Sequence, residues 1–224
     1  MSVAVAPAVT VALASLTARE LGHRFSPRRG LEPVSFEIEA PGVVAVTGPN
    51  GSGKSTLLRI VAGLLRPNRG ACALRVGGRE IERGARRVSV GLATPELSFY
   101  DELTVGENLV FAAETQGLAD PRGRVREALE RVGLWARAGD RADALSSGMR
   151  QRLRLAFALL HRPPVLLLDE PGTHLDEEGR ALVARLVREQ RQQGLVLIAT
   201  NDEREKTLAG RTIELRGRGL GDPA

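Results

Sequence analysis

The densest chemistry in the chain lies in Gly48-Pro49-Asn50-Gly51-Ser52-Gly53-Lys54-Ser55-Thr56. Glycines at 48, 51 and 53 keep Cβ atoms out of the way, so backbone N–H groups can converge on phosphate oxygens. A helix that begins directly after such a loop aims its positive N-terminal end at the same anion. Lys54 then offers a compact ammonium to the β- and γ-phosphates of a nucleotide, and Ser55 offers a hydroxyl to the accompanying Mg²⁺. Lys54 and Lys206 are the only lysines in a chain whose Lys+Arg total is 32. An ammonium fits this cradle where a planar guanidinium does not.

A phosphate-bound cation needs a second anchor at the end of a neighbouring strand. Leu166-Leu167-Leu168-Asp169 has that form: an apolar run closed by a carboxylate that can hold Mg²⁺ or its water. Glu170 follows directly. Successive side chains of an extended chain point to opposite sides, so Glu170 is expected to face the space beyond the γ-phosphate, where it could polarise an attacking water.

These residues need strands and helices to place them. Val43–Val46 reads as a short buried strand before the glycine-rich loop, and Leu57–Leu65 has helical periodicity after it. Val9–Ala14 and Val34–Glu39 read as further strands, the second half-exposed. Thr104–Leu145 reads as mostly helical, with Val125–Ala136 as an amphipathic segment, and Ser146–His161 continues as a helix up to Pro163-Pro164. Val165–Leu168, Leu195–Thr200 and Thr212–Leu215 read as strands, with Glu177–Gln193 a charged amphipathic helix between the first two. Strands alternating with helices imply an α/β domain with a largely parallel sheet and an all-helical insertion.

Composition narrows the partners. At 224 residues and 42% hydrophobic, the chain has the size and apolar content of one globular domain. One cysteine, Cys72, excludes an internal disulfide. The net charge of +5 could suit nucleic acid, but the arginines are interleaved with acids and aromatics are 3%, too few for a base-stacking platform. Ser2–Ala18 lacks the basic n-region of a signal peptide and reads as a tail leading into a strand. No run is long and apolar enough to cross a bilayer, so a soluble or peripheral protein is expected.

The glycine-rich loop, Leu145-Ser146-Ser147-Gly148-Met149-Arg150-Gln151-Arg152, Leu168-Asp169-Glu170-Pro171 and Thr173-His174-Leu175-Asp176 together resemble the ATP-binding-cassette (ABC) ATPases in order and spacing. The likeness runs from about residue 9 to 215, leaving 1–8 and 216–224 as tails, and the chain is similar to short bacterial transporter subunits, including those of the haem-exporter type. It implies a P-loop α/β cassette with a RecA-like core, an antiparallel β subdomain and a helical subdomain inserted at about 97–150. It also implies that Phe25 stacks on adenine, that Gly48–Thr56 bind ATP and Mg²⁺, and that Ser146, Ser147 and Gly148 contact the γ-phosphate held by a second protomer. Asp176 would couple the two sites of a head-to-tail dimer. The implied partners are an integral membrane permease, docking near Phe99 and Tyr100, and a second ATPase protomer. No nucleic acid is expected, and the implied place is the cytoplasmic face of the membrane.

Three positions depart from the family pattern. Ser147 and Met149 replace a glycine and a glutamine of the signature, leaving Ser146 and Gly148. The glutamine expected to reach Mg²⁺ and water falls on Pro95, which lacks the function; neighbouring Glu96 is the candidate substitute ligand. The switch histidine falls on Asn201, a shorter, uncharged donor. Loss of one such stabilising donor is worth on the order of 10²–10³-fold in turnover. With Glu170 retained, hydrolysis is still expected. A nucleic-acid-associated ATPase and a slow nucleotide-binding regulatory module are the alternative readings.

Overall fold

Continuous burial along the central strands, whose side chains alternate between two apolar clusters, sets the layering. The computed structural model describes residues 13–26 and 29–217. In chain order its elements are β1 (Ala14–Ser26), β2 (Arg29–Glu39), β3 (Gly42–Thr47), α1 (Lys54–Val61), β4 (Arg69–Val76), β5 (Arg79–Glu80), β6 (Val90–Ala93), α2 (Val105–Thr115), α3 (Pro121–Arg131), α4 (Ser147–Leu159), β7 (Val165–Asp169), α5 (Glu177–Arg191), β8 (Leu195–Ala199), α6 (Glu203–Lys206) and β9 (Arg211–Glu214). One sheet has five strands in the order β6-β7-β8-β3-β9, all parallel. The other has four, β2-β1-β4-β5, all antiparallel.

The parallel sheet is buried on both faces, which is why its strands are continuous apolar runs. Leu166, Leu168, Val196 and Ile198 face one apolar cluster with Leu109, Leu129, Leu153 and Leu186 of the helices. Val165, Leu167, Leu195 and Leu197 face the other, with Leu57 and Ile60 of α1 and Leu16 and Leu74 of the antiparallel sheet. The period of two in a strand thus divides one leucine run between two cores. α1 lies between the sheets, so the helix that follows the glycine-rich loop is held from both sides.

Helices α2 to α6 start at side-chain caps. Thr104 and Glu107 form a reciprocal capping box at α2, with Glu107 N–H to Thr104 Oγ1 at 3.1 Å and Thr104 N–H to Glu107 Oε2 at 2.8 Å. Asp120 accepts from Gly123 N–H at 3.0 Å, and Pro121 takes the first position of α3. The cap moves the start of that helix ahead of the expected Val125. Beyond Arg131 the expected continuous helix is replaced by two short 3₁₀ turns, Trp135–Arg137 and Ala142–Ala144.

Three strands escaped the sequence reading: β4, the two-residue β5 and β6. β4, Arg-Gly-Ala-Cys-Ala-Leu-Arg-Val, leaves half of its residues exposed, buries only Leu74 and lacks clean alternation. β6 is four residues containing Gly91, where a Cβ would stand 2.0 Å from Ala158 O; the glycine lets α4 lie directly on the strand. The expected strand Val9–Ala14 falls largely outside the described residues; the strand at this place starts at Ala14 and, interrupted by bulges, reaches Ser26.

Candidate functional site

Four parallel strands deliver their C-terminal ends to one edge of the sheet, the usual ligand edge of open α/β sheets. β3 leads into Gly48, β6 into Thr94–Glu96, β7 ends on Asp169, and β8 leads into Thr200-Asn201. A cleft of about 300 Å³ opens here, lined by Phe25, Arg29, Gly30, Asn50, Gly51, Gly53–Thr56, Arg59, Glu96 and Glu170.

The loop geometry follows from its glycines. Gly53 has φ 100° at the N-cap of α1, and a Cβ there would stand 2.8 Å from Leu31 Cα. Only glycine meets both conditions. No side chain caps α1, so its first-turn N–H groups face the cleft without an intrahelical partner. Lys54 is 6% exposed, and its Nζ donates to Gly48 O at 2.7 Å and Pro49 O at 3.4 Å. The loop carbonyls therefore hold the ammonium over the cradle. Ser52 is buried with an unpartnered Oγ beneath the loop, where a Cβ on Gly48 would approach it to 2.8 Å. Thr56 lies at the cleft wall.

Asp169 is 4% exposed at the end of β7. Burial raises its pKa; the Ser55 hydroxyl donates to it and opposes the rise, the charges of Glu96 and Glu170 add to it, and Arg59 opposes. A buried carboxylate held above its ordinary range, beside a serine hydroxyl, is a hard-oxygen donor pair that suits a divalent cation. Among the described residues no three His, Cys, Asp or Glu side chains converge to hold a metal on their own. Phosphate oxygens would have to complete its shell. Mg²⁺ with a nucleotide fits this donor set.

Glu170 is exposed and reaches the cleft from a backbone at φ 47°. Its N–H donates to Ala199 O at 2.9 Å, tying the turn to β8. Asn201 accepts from Gly48 N–H through Oδ1 at 3.4 Å, so the β8 loop touches the glycine-rich loop. Glu96 also lines the cleft but is turned to Arg59, with which it is ion-paired, and to the Thr94 hydroxyl. Burial would raise its pKa, but the Thr94 hydroxyl, its own backbone amide and Arg59 outweigh that and lower it. Glu96, the candidate substitute ligand, is ion-paired in this structure with Arg59, which stands four residues past Ser55 on α1. Pro95 is exposed beside it.

Phe25 is 48% exposed at the cleft wall, edge-on to His23 at 4.4 Å between ring centres, with the Arg29 guanidinium 5.6 Å over its ring. Ser146, Ser147, Gly148 and Asp176 do not line this cleft. Ser146 caps α4 by accepting from Met149 N–H at 3.2 Å, and Ser147 is exposed in the first turn. Gly148 brings that turn against the next loop, where a Cβ would lie 3.1 Å from His174 O. Asp176 caps α5, accepting from Gly179 N–H at 2.8 Å, and lies 3.7 Å from Arg152.

The sequence reading missed Arg29, Arg59, Gln151 and Glu205. Arg59 carried a usable signal, the i, i+4 spacing from Ser55 on one helix face. Arg29 carried none, since only the β1–β2 pairing sets it over Phe25.

A strand, a phosphate cradle at a helix start and a carboxylate pair at the end of a neighbouring strand define a P-loop nucleotide-binding domain. Residues 31–173 match the ABC transporter family. The chain is 35% identical over 225 residues to a probable anion import ATP-binding protein of Haloferax volcanii, covering 90% of this chain and 77% of that protein. It spans about 62% of the length of other curated relatives. Among solved structures, a dimeric post-hydrolysis state of the ATP-binding cassette MJ0796 bound to ADP and Pi superposes with a TM-score of 0.78 at 23% identity, covering 89% of this chain and 94% of that one. CbiO1 of Clostridium perfringens, part of the ABC transporter complex cbiONQ, gives a TM-score of 0.74 at 28% identity, covering 90% and 85%. The chain belongs to the ABC transporter ATPase family. It is an ATP-binding domain of that family.

Proposed function

We propose that this protein is the ATP-hydrolysing subunit of an ABC transporter, working as a head-to-tail dimer and driving transport by a separate membrane subunit. The observation that carries the reading is the convergence of Lys54, Ser55 and Glu170 on one cleft at the C-terminal edge of the parallel sheet, with the buried Asp169 hydrogen-bonded to Ser55 behind it.

Backbone N–H groups of Gly51–Thr56 bind the phosphates, and Lys54 exchanges its loop carbonyls for β- and γ-phosphate oxygens. Ser55 and Asp169 would hold Mg²⁺, which when bound would supply charge neutralisation at the phosphates. Glu170 accepts a hydrogen bond from the attacking water and orients it in line with the γ-phosphorus. Asn201, at the P-loop's first N–H, donates its amide to a γ-phosphate oxygen. Phe25, backed by Arg29, stacks on the base. The exposed start of α4, Ser146–Gly148, supplies hydroxyl and N–H groups to the γ-phosphate of the partner protomer, and Asp176 lies at the same interface.

Among the described residues no helix is long and apolar enough to cross a membrane, which supports a separate permease as the membrane-embedded partner. Tyr100 and Phe111, exposed and edge-on at 5.6 Å, offer that permease an aromatic contact beside the cleft-lining Glu96 loop. The subunit then sits on the cytoplasmic face of the membrane, without nucleic acid.

Phosphate release by wild type and Glu170→Gln, in the presence of Mg²⁺ and ATP, tests the reading. The variant is expected to bind ATP as tightly and to lose at least about 10²-fold in turnover, within the range for general base catalysis. Equal rates would remove Glu170 from the chemistry.

A further inference from the structure

The turn that presents Glu170 is strained and is held from outside. At φ 47°, Glu170 occupies the left-handed region, which an L residue with a side chain adopts only at a cost. Such a conformation persists where its surroundings over-determine it. Here four hydrogen bonds do so. Glu170 N–H donates to Ala199 O at 2.9 Å, and Thr173 N–H donates to Glu170 O at 3.1 Å. Gln151 Nε2, from α4, donates to Pro171 O at 3.1 Å. Gly172 N–H donates to Glu205 Oε1, from α6, at 2.7 Å, in a buried contact.

The last of these is the least expected. Glu205 is 8% exposed, and its second oxygen, Oε2, is buried without a hydrogen-bond partner. Burying a carboxyl group is unfavourable unless its partners compensate. The visible compensation is at Gly172, where a Cβ would come within 2.5 Å of Oε1, so glycine and carboxyl are fitted to each other. Burial raises the Glu205 pKa; the Thr200 hydroxyl and Gly172 N–H oppose the rise, and Asp202 and Glu170 add to it. Glu205 follows the loop whose Asn201 accepts the Gly48 N–H. One short segment, 200–205, therefore touches both the phosphate loop and the turn that carries the general base.

We propose that Glu205 is a positioning residue for hydrolysis: by holding Gly172 N–H it locks Glu170 in its strained, water-facing conformation and ties that conformation to the Asn201 loop. The proposal rests on the role of Glu170 given above. It requires an acceptor at position 205, not a charge.

The full-length chain is compared as wild type, Glu205→Gln and Glu205→Ala. The glutamine keeps an acceptor for Gly172 and is expected to retain turnover within about threefold, whereas the alanine leaves a buried N–H unpaired and loses about tenfold or more in kcat, with KM for ATP within about twofold. Amide hydrogen exchange provides a readout independent of turnover. Exchange in the segment 169–173 should rise about tenfold in the alanine variant and not in the glutamine variant, with α3 unchanged in both. Equal kcat in all three proteins, unchanged exchange in 169–173, or an equal loss of protection in α3 would overturn the proposal. A wild type that binds ATP but releases no phosphate refutes the proposed activity, while the exchange comparison still decides whether Glu205 holds the turn.

Discussion

Replacing Asn201 by histidine should accelerate hydrolysis. Asn201 Oδ1 is engaged by Gly48 N–H at 3.4 Å, which leaves its Nδ2 hydrogens for a γ-phosphate oxygen. Histidine at the same place is longer and, when protonated, places positive charge beside the transferring group. A preorganised donor aimed at developing charge is worth about 2.7–4 kcal/mol, or about 10²–10³-fold in kcat. Against this stands the lost acceptor for Gly48 N–H. At 3.4 Å that bond is long, and even a good exposed hydrogen bond contributes only about 0.5–1.5 kcal/mol. Because Asn201 already donates there, only the added charge and reach are gained, and the gain is at most roughly 10–10²-fold in kcat. Phosphate release at saturating Mg²⁺ and ATP measures it, with Asn201→Ala as the companion expected to fall below wild type. If Asn201→His leaves kcat unchanged while ATP affinity and Tm are preserved, the shorter donor already supplies what histidine would, and the reasoning fails. Equal rates for Asn201→Ala and wild type would remove Asn201 from catalysis.

Two further outcomes concern buried titratable groups. Asp169 has a folded-state pKa raised chiefly by burial, so its contribution to stability is present at low pH and is lost as pH rises through the interval above its ordinary value. Asp169→Asn should raise the Tm of the nucleotide-free protein by about 2–4 °C near neutral pH, the shift that 1 kcal/mol produces at this size, and abolish the further rise given by Mg²⁺ with ATP; calorimetry with and without nucleotide checks both. His161 is held below its ordinary pKa by burial first and by Arg124 second, against the Val90 backbone. The unfolded chain then takes up a proton near pH 6.5 that the folded chain refuses, so stability is complete above 6.5 and falls below it by at most about 1.4 kcal/mol per pH unit. Tm measured from pH 7.5 to 5.5 should fall less steeply for His161→Gln than for wild type, and parallel slopes would exclude His161 as the source.

The legible parts of the fold are those where local chemistry and tertiary structure make the same demand. The loop Gly48–Ser55 needs glycines for backbone reasons alone, and it sits where expected. The leucine runs at 165–168 and 195–199 are apolar at every position because the parallel sheet is covered on both faces, and that too is readable. β4 was not, because an exposed strand containing Gly70 and paired by distant β1 has no pattern of its own. β6 is too short, at Val90–Ala93, to show a period.

By itself the sequence determined the phosphate cradle, the carboxylate pair Asp169 and Glu170, and the family, because each lies within a few consecutive residues whose types are set by backbone geometry and metal chemistry. Tertiary structure alone decided that Glu96 meets Arg59, that Arg29 covers Phe25, that Asn201 takes the Gly48 N–H, and that Glu205 holds the Gly172 N–H behind the strained Glu170. Those contacts join residues 4 to 153 positions apart through the packing of sheets and helices. No local pattern records such a pairing, since the partner of a buried polar atom depends on which surfaces the rest of the chain brings together.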